Sequence, residues 1–301
     1  MSSTAASGAD RSRGIAFVAA AALLWSLGGL LARLVDTDPW TTVFWRSIFA
    51  ALFLLGVTVV QEGGAAWTRI RELGWPGVAM ALCFATASTC FINALSLTTV
   101  ANALVIQSTS PFIAALLGWA WMSERVRRRS WLAMAAALGG AAVMASHSWG
   151  TGSIGGDFLA LVTAVAFASA TVIVRRHREV RMTAAAALAN VFSAVFAWLP
   201  AQPQQAGGSD LALLAFFGAA QLGFGLVLFT AGARLIPVAE ASLIAVLESV
   251  LGPVWVWLFL GETPAAAALT GGAIILTALV VHTALDLRET RRAPVHPGVP
   301  R

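Results

Sequence analysis

Glu248 is the acidic residue that stands deep within an apolar stretch of this 301-residue chain, in S-L-I-A-V-L-E-S-V-L-G-P. A carboxylate among apolar side chains is costly to ionise, which suits a proton carrier, a partner for a substrate ammonium group, or one half of a structural ion pair. Arg46, in F-W-R-S-I-F-A-A-L, carries the opposite charge. It reads as a partner for Glu248, as a holder of a substrate carboxylate, or as a structural cation. Gln107, Ser108, Thr109 and Ser110 stand directly before Pro111. Proline lacks an N–H and clashes with the preceding turn, so it frees backbone carbonyls near Gln107. Such carbonyls coordinate a substrate or are satisfied by the helix's own hydroxyls. Glu248, Ser249, Gly252 and Pro253 make a second arrangement of this kind, and Pro111 and Pro253 are therefore candidate hinges.

Further polar residues interrupt apolar sequence at helical spacing. Thr86, Thr89, Asn93 and Ser96 recur at steps of three and four, so they share one face of a helix. That face either lines a cavity, with Thr86 and Asn93 as candidate contacts, or joins packed helices by hydrogen bonds. Gln221 is the polar member of a face otherwise made of Gly218, Gly225 and Gly232. Trp25 lies near the middle of its apolar stretch, whereas Trp40, Trp75, Trp131, Trp149 and Trp198 lie near the ends of theirs, where an interfacial belt expects them. Trp25 therefore either stacks on an apolar or aromatic substrate or packs between helices. Glu124 and Glu262 follow tight turns and read as helix caps, and His147 and His282 read as surface residues near the ends of their stretches. The sequence contains no H-E-x-x-H, no pair of buried aspartates and no buried histidine cluster, so it offers an intramembrane enzyme no catalytic constellation. No metal or cofactor is expected.

The elements that must carry these residues are transmembrane helices. Apolar residues make up 58% of the chain and charged residues 11%, which excludes a soluble domain with a polar surface. Ten apolar spans are predicted: residues 14–35, 39–61, 75–98, 100–122, 130–148, 157–174, 182–199, 211–235, 238–260 and 265–285. The first, at 1.5 Å per residue, is about 33 Å long and crosses a bilayer core. The basic balance comes from 19 arginines and no lysine, and these fall in short loops rather than in a patch for nucleic acid. With the N-terminus in the cytoplasm, every inside segment carries arginine, from Arg11 and Arg13 to Arg288, Arg291 and Arg292. The outside loops carry Asp36, Asp38, Asp157, Asp210 and Glu262. This division predicts both termini inside. It makes the protein a multi-pass component of the cell's inner membrane.

The chain also repeats itself. A constant offset of 138 superposes Val100 on Val238, Ala101 on Ala239, Trp119 on Trp257 and Glu124 on Glu262, and it sets Ser110 opposite Glu248. An offset of 142 relates Gly14 to Gly156 and Arg33 to Arg175. Five spans per half is an odd number, so the second half enters the membrane upside down. The expected fold is all-α and integral to the membrane, with ten helices in two inverted five-helix repeats. Residues 1–13 and 288–301 are expected as cytoplasmic tails around repeats at 14–150 and 151–287.

Several pieces together resemble the drug/metabolite transporter superfamily, and within it the ten-helix EamA-type exporters. They are L-L-W-S-L-G-G, F-W-R-S-I-F-A-A-L, S-P-F-I-A-A-L-L-G-W-A-W-M-S-E-R and, in the second half, G-P-V-W-V-W-L-F-L-G-E-T-P followed by L-T-G-G-A-I-I-L. The resemblance implies secondary transport of small metabolites by alternating access, with a central cavity lined mostly by spans one, three, four, six, eight and nine. It further implies export of amino acids, aromatic ones among them. The expected partners are a small-molecule substrate and the lipid bilayer. The competing readings are an intramembrane enzyme, a channel, for which no ring of like charges or filter loop is visible, and a membrane scaffold without transport.

Overall fold

A helix satisfies the backbone of an isolated apolar segment in hydrocarbon, and the computed structural model is helical through most of the apolar sequence among the described residues. It describes residues 8–63, 68, 71–98, 100–124, 126–146, 153–177, 182–261 and 266–292. Glu262, Arg69, Arg125, Arg178, Arg181, His147 and Trp149 lie outside the described residues, as does the side chain of Pro253.

Ten helical spans are present among the described residues. The first is α1 (Gly8–Trp25) with α2 (Gly28–Leu34), the second α3 (Pro39–Glu62) and the third α4 (Gly74–Leu97). The fourth is α5 (Val100–Gln107) with α6 (Ser110–Met122), the fifth α7 (Arg128–Ala145), the sixth α8 (Ile154–Arg176) and the seventh α9 (Thr183–Trp198). The eighth joins α10 (Gly208–Ala215), a π-helical stretch (Phe216–Phe224) and α11 (Gly225–Ala233). The ninth is α12 (Val238–Ala245) with α13 (Leu247–Leu260), and the tenth is α14 (Ala266–Arg292). Seven of these helical spans are long and apolar enough to cross a membrane by length and composition, and two shorter apolar helices fall in the seventh and tenth. The first helix begins at Gly8, inside the stretch read as a tail, with Asp10 in its first turn where the helix dipole favours an acid. The last runs to Arg292, beyond the expected boundary at 287.

The inverted repeat is visible in which helices touch. The second span packs on the eighth and the third on the seventh; the first packs on the eighth and the third on the sixth; the first packs on the ninth and the fourth on the sixth. The second also meets the seventh, the fourth the ninth and the fifth the tenth. Exchanging each span with the one five places on leaves this pattern unchanged, as a two-fold axis in the membrane plane requires. Local details obey the same offset of 138. The fourth span is interrupted at Ser108 and Thr109 and the ninth at Val246, the equivalent of Ser108. Both spans then end on a left-handed residue, Ser123 at φ 55° and Gly261 at φ 70°. The interruption of the ninth span thus precedes the candidate hinge Pro253, which sits inside the continuous helix α13.

Close backbone approach holds the halves together, as in membrane bundles that lack a hydrophobic drive for helix association. A Cβ on Gly218 would lie 2.2 Å from the Arg46 carbonyl oxygen and 2.8 Å from the Phe49 Cβ, so the eighth span rests directly on the second. On Gly140 it would lie 2.7 Å from the Gly271 carbonyl oxygen, where the fifth span meets the tenth.

Candidate functional site

A cavity of about 90 Å³ opens between the halves, and eight of the ten spans contribute to its wall. Trp25 and Gly28 come from the first, Arg46 from the second, Ser88 and Phe91 from the third, Gln107 from the fourth, Phe167 from the sixth, Asn190 and Ser193 from the seventh, Phe217 and Gln221 from the eighth and Glu248 from the ninth. Ligand sites usually enclose roughly 300–1,000 Å³. This one is contracted.

Helix interruptions place its polar groups. The first span breaks at Ser26 and Leu27, and the break exposes the Trp25 carbonyl, which accepts a hydrogen bond from Gln221 Nε2 at 2.9 Å. Ser26 Oγ donates to the Leu23 carbonyl at 2.6 Å and accepts from Trp255 Nε1 at 2.7 Å, so the break is bridged from both the eighth and the ninth spans. In the fourth span, Ser108 Oγ and Thr109 Oγ1 donate back to the Leu104 and Ile106 carbonyls, and Pro111 stands in the first turn of α6. Gln107, the last residue of α5, donates from Nε2 to Glu248 Oε1 at 2.8 Å, joining the two equivalent broken helices across the axis. Proline, hydroxyls and interruption therefore act together.

Arg46 is 3% exposed. Its Nη2 donates to Ser88 Oγ at 2.6 Å and to the Ser88 carbonyl at 3.3 Å, and its guanidinium lies over the Phe217 ring, 5.0 Å from the centroid. No ion pair joins Arg46 to Glu248 among the described residues. Of the readings open for Arg46 and Glu248, a direct pair is not formed, and the two side chains stand apart on one cavity wall. Four buried polar atoms on that wall have no hydrogen-bond partner within the protein: Trp25 Nε1, Arg46 Nε, Gln107 Oε1 and Gln221 Oε1. Buried polar groups are normally paired. Trp25 Nε1 lies against the Gly225 backbone, which leaves Arg46 Nε, Gln107 Oε1 and Gln221 Oε1 for a polar ligand.

Trp25, Phe84 and Phe167 bound the cavity on the side nearer the arginine-rich ends of the spans, and Phe229 packs against all three. Trp25 lies 5.9 Å from Phe167 and 5.0 Å from Phe229, and Phe84 lies 5.9 Å from Phe167 and 6.0 Å from Phe229. Trp25 and Phe167 are equivalent at the offset of 142, and Phe84 and Phe229 occupy the equivalent third and eighth spans. The cluster thus belongs on the two-fold axis. Beyond it, the arginine-rich end is tied across the halves. Arg11 pairs with Glu240 at 2.8 Å, with Glu240 only 3% exposed, and Arg175 pairs with Glu124 at 3.3 Å while also donating to the Arg234 carbonyl.

Of the residues singled out from sequence, the cavity gathers Trp25, Arg46, Gln107, Gln221 and Glu248. Thr86, Asn93, Ser110 and Ser249 are not among its lining residues. Asn93 Nδ2 donates to the Thr89 carbonyl and Ser96 Oγ to the Asn93 carbonyl, so these two side chains are occupied with their own backbone, whereas Thr89 Oγ1 is buried without a partner. The cavity also takes Ser88, which adjoins the Thr86–Thr89 stripe but falls off its face, and Asn190 and Ser193, a pair one helical step apart that is too short to stand out as a stripe. Asn190, equally, donates to the Ala186 carbonyl and is 2% exposed. Two readings are corrected outright. Glu124 does not cap the helix that follows it: its Oε2 accepts from the Val238 N–H at 3.3 Å, at the start of the ninth span. His282 is 3% exposed rather than a surface residue, because the fifth span covers it.

A family model described as the EamA-like transporter family matches residues 12–146 and again residues 154–284, one copy in each half. A crystal structure described only as "Crystal structure of protein" superposes with a TM-score of 0.79 at 20% identity, covering 93% of this chain and 99% of that one. That likeness is one of fold. Among curated proteins none matches the chain.

Proposed function

This chain belongs to the EamA-like transporter family, and we propose that it exports small amphipathic metabolites, amino acids with aromatic side chains among them, by alternating access through the cavity between its halves. The observation that carries this reading is that Arg46, Gln107 and Gln221, each with an unpartnered buried polar atom, line one aromatic-walled cavity together with Glu248. An α-amino acid offers a carboxylate, an ammonium group and a side chain of different polarity. Arg46, already fixed by Ser88, supplies the guanidinium that a carboxylate requires, and Glu248 supplies the anion for the ammonium group. Trp25, Phe91 and Phe217 give an aromatic side chain surfaces to stack on. Gln107 and Gln221 each hold one amide nitrogen in the fold and leave the oxygen to the ligand.

The arginine-rich end faces the cytoplasm of the inner membrane in this proposal, with both termini inside. The contracted cavity, sealed toward that end by the aromatic cluster and the two ion pairs, is then one state of the cycle. Reaching the cytoplasmic state requires separating Arg11 from Glu240 and Glu124 from Arg175. The interruptions at Ser108 and Val246, with Pro111 beside the first, are where the broken spans bend. Glu248 takes up the proton that couples the cycle to the membrane gradient.

Counterflow in proteoliposomes tests the reading. Vesicles loaded with unlabelled tryptophan or phenylalanine are expected to accumulate trace labelled tryptophan faster than vesicles loaded with threonine or with a cationic drug. Equal accumulation over every load overturns the amino-acid assignment. No accumulation over any load, from protein shown to be folded, overturns transport of this class.

A further inference from the structure

We propose that Gly225 decides how large a side chain the cavity admits, by seating the Trp25 indole against the eighth span and so holding it out of the substrate's space; this rests on the amino-acid reading above. The glycine is a seat for a side chain rather than a contact between helices. A Cβ on Gly225 would lie 2.2 Å from Trp25 Nε1, 2.7 Å from Cδ1 and 3.1 Å from Cε2, three atoms of one ring. At Gly218 and Gly232, by contrast, the nearest atom is a backbone carbonyl oxygen of another span, so those glycines bring helices together.

The surroundings of Trp25 leave its ring one way to move. Its carbonyl is held by Gln221 Nε2, from the span that carries Gly225. The ring also meets Phe229 at 5.0 Å and Phe167 at 5.9 Å, and both phenylalanines are buried, Phe229 completely. The cavity, which Trp25 lines, is the space that remains. Non-bonded atoms settle at about 3.5–4.0 Å, so a methyl group on Gly225 would drive the indole roughly 1.3–1.8 Å toward the cavity. The cavity encloses only about 90 Å³, and the shift takes that room from the substrate's side chain. Trp25 Nε1 is buried without a hydrogen-bond partner, as fits a ring placed by shape. The seat is also one-sided. Phe167, the equivalent of Trp25, meets the third span through Phe84, and that helix, α4, is α throughout with glycine only at Gly74 and Gly77, near its start. In the eighth span the π-helical stretch ends directly before Gly225, and such stretches recur at functional sites.

The test is counterflow of labelled tryptophan and of labelled phenylalanine, each into vesicles loaded with the same unlabelled amino acid, comparing the wild type with Gly225→Ala. Half-saturation for tryptophan should rise about tenfold relative to that for phenylalanine, the effect of one methylene's space in an apolar pocket. In the Trp25→Phe background, whose ring lacks the pyrrole edge that meets Gly225, the same substitution should change that ratio by less than about twofold. An unshifted ratio in Gly225→Ala, or an equal shift in both backgrounds, overturns the proposal and makes Gly225 a packing residue. Wild-type protein that accumulates neither amino acid removes the amino-acid reading and this proposal with it, whereas normal wild-type counterflow with an unshifted ratio in the variant removes this proposal alone. Should Gly225→Ala fail to fold, adding Trp25→Phe should restore the monodisperse fraction in detergent, because the indole is the obstacle. A double variant that remains misfolded overturns the seat.

Discussion

Glu248→Gln is expected to abolish transport driven by a pH difference while substrate still exchanges across the membrane at a weaker half-saturation. Glutamine preserves the size of the side chain and its hydrogen bond with Gln107, which spans 2.8 Å across the two broken helices, but it carries no proton to exchange. Replacing a charge-assisted hydrogen bond to a substrate ammonium group by a neutral one costs about 1–2 kcal/mol, so half-saturation in exchange should move up about tenfold. Uptake of labelled tryptophan into proteoliposomes, with and without an imposed pH gradient, reads both effects. Full pH dependence in the variant would mean that Glu248 is not the proton site. Arg46→Gln separates the other end of the substrate. It should raise half-saturation for tryptophan at least tenfold and leave that for tryptamine, which lacks the carboxylate, unchanged. An equal loss for both compounds would make Arg46 a structural cation, held by Ser88 and Phe217 for the sake of the fold.

Gly218→Val is expected to prevent assembly of the bundle. A Cβ at this position would lie 2.2 Å from the carbonyl oxygen of Arg46 and 3.0 Å from the Ala50 nitrogen, so the obstacle is the backbone of the second span rather than the end of a flexible side chain. Overpacking in a well-filled interior costs about 1–3 kcal/mol where side chains can shift. Here only a displacement of one whole helix relieves it, and that displacement would carry Arg46, Phe217 and Gln221 out of register with the cavity. The monodisperse fraction in detergent should fall to near zero for Gly218→Val and fall partially for Gly218→Ala. Gly29→Ala is the control: its Cβ would meet nothing within 4 Å, and alanine is favoured over glycine in a helix by about 1 kcal/mol. A Gly218→Val protein as monodisperse as Gly29→Ala would show that the second and eighth spans are not held at this distance.

These effects depend on how a polar group is used once the helices are assembled, and here sequence and tertiary structure part company. A carboxylate, a guanidinium or a carboxamide in an apolar stretch is conspicuous because its placement is costly. Glu248, Arg46, Gln107 and Gln221 were legible for that reason, and all four line the cavity. Hydroxyls and asparagine in a helix have a cheaper option, the carbonyl one turn back. Asn93, Ser96, Ser108, Thr109 and Asn190 all take it. Periodicity therefore found the face shared by Thr86, Thr89 and Asn93 without revealing what that face meets.

The amino-acid sequence by itself determined the ten spans, through apolar length; the inversion of the halves, through an odd number of spans in each; and the break in the fourth span to within a turn, through Pro111, whereas the ninth span breaks at Val246, seven residues before Pro253. Each of these is a property of a segment or of a count. Tertiary structure alone decided that Glu124 serves Arg175 and the N–H of Val238 rather than its own helix, and that Arg11 reaches Glu240, 229 residues away in sequence. It also decided that Trp25, Phe84, Phe167 and Phe229 close on one another at the two-fold axis. The physical reason is common to all three. Hydrophobic burial fixes which residues enter the membrane, whereas the partner of a charge or a ring is set by which helices the close glycine contacts bring together.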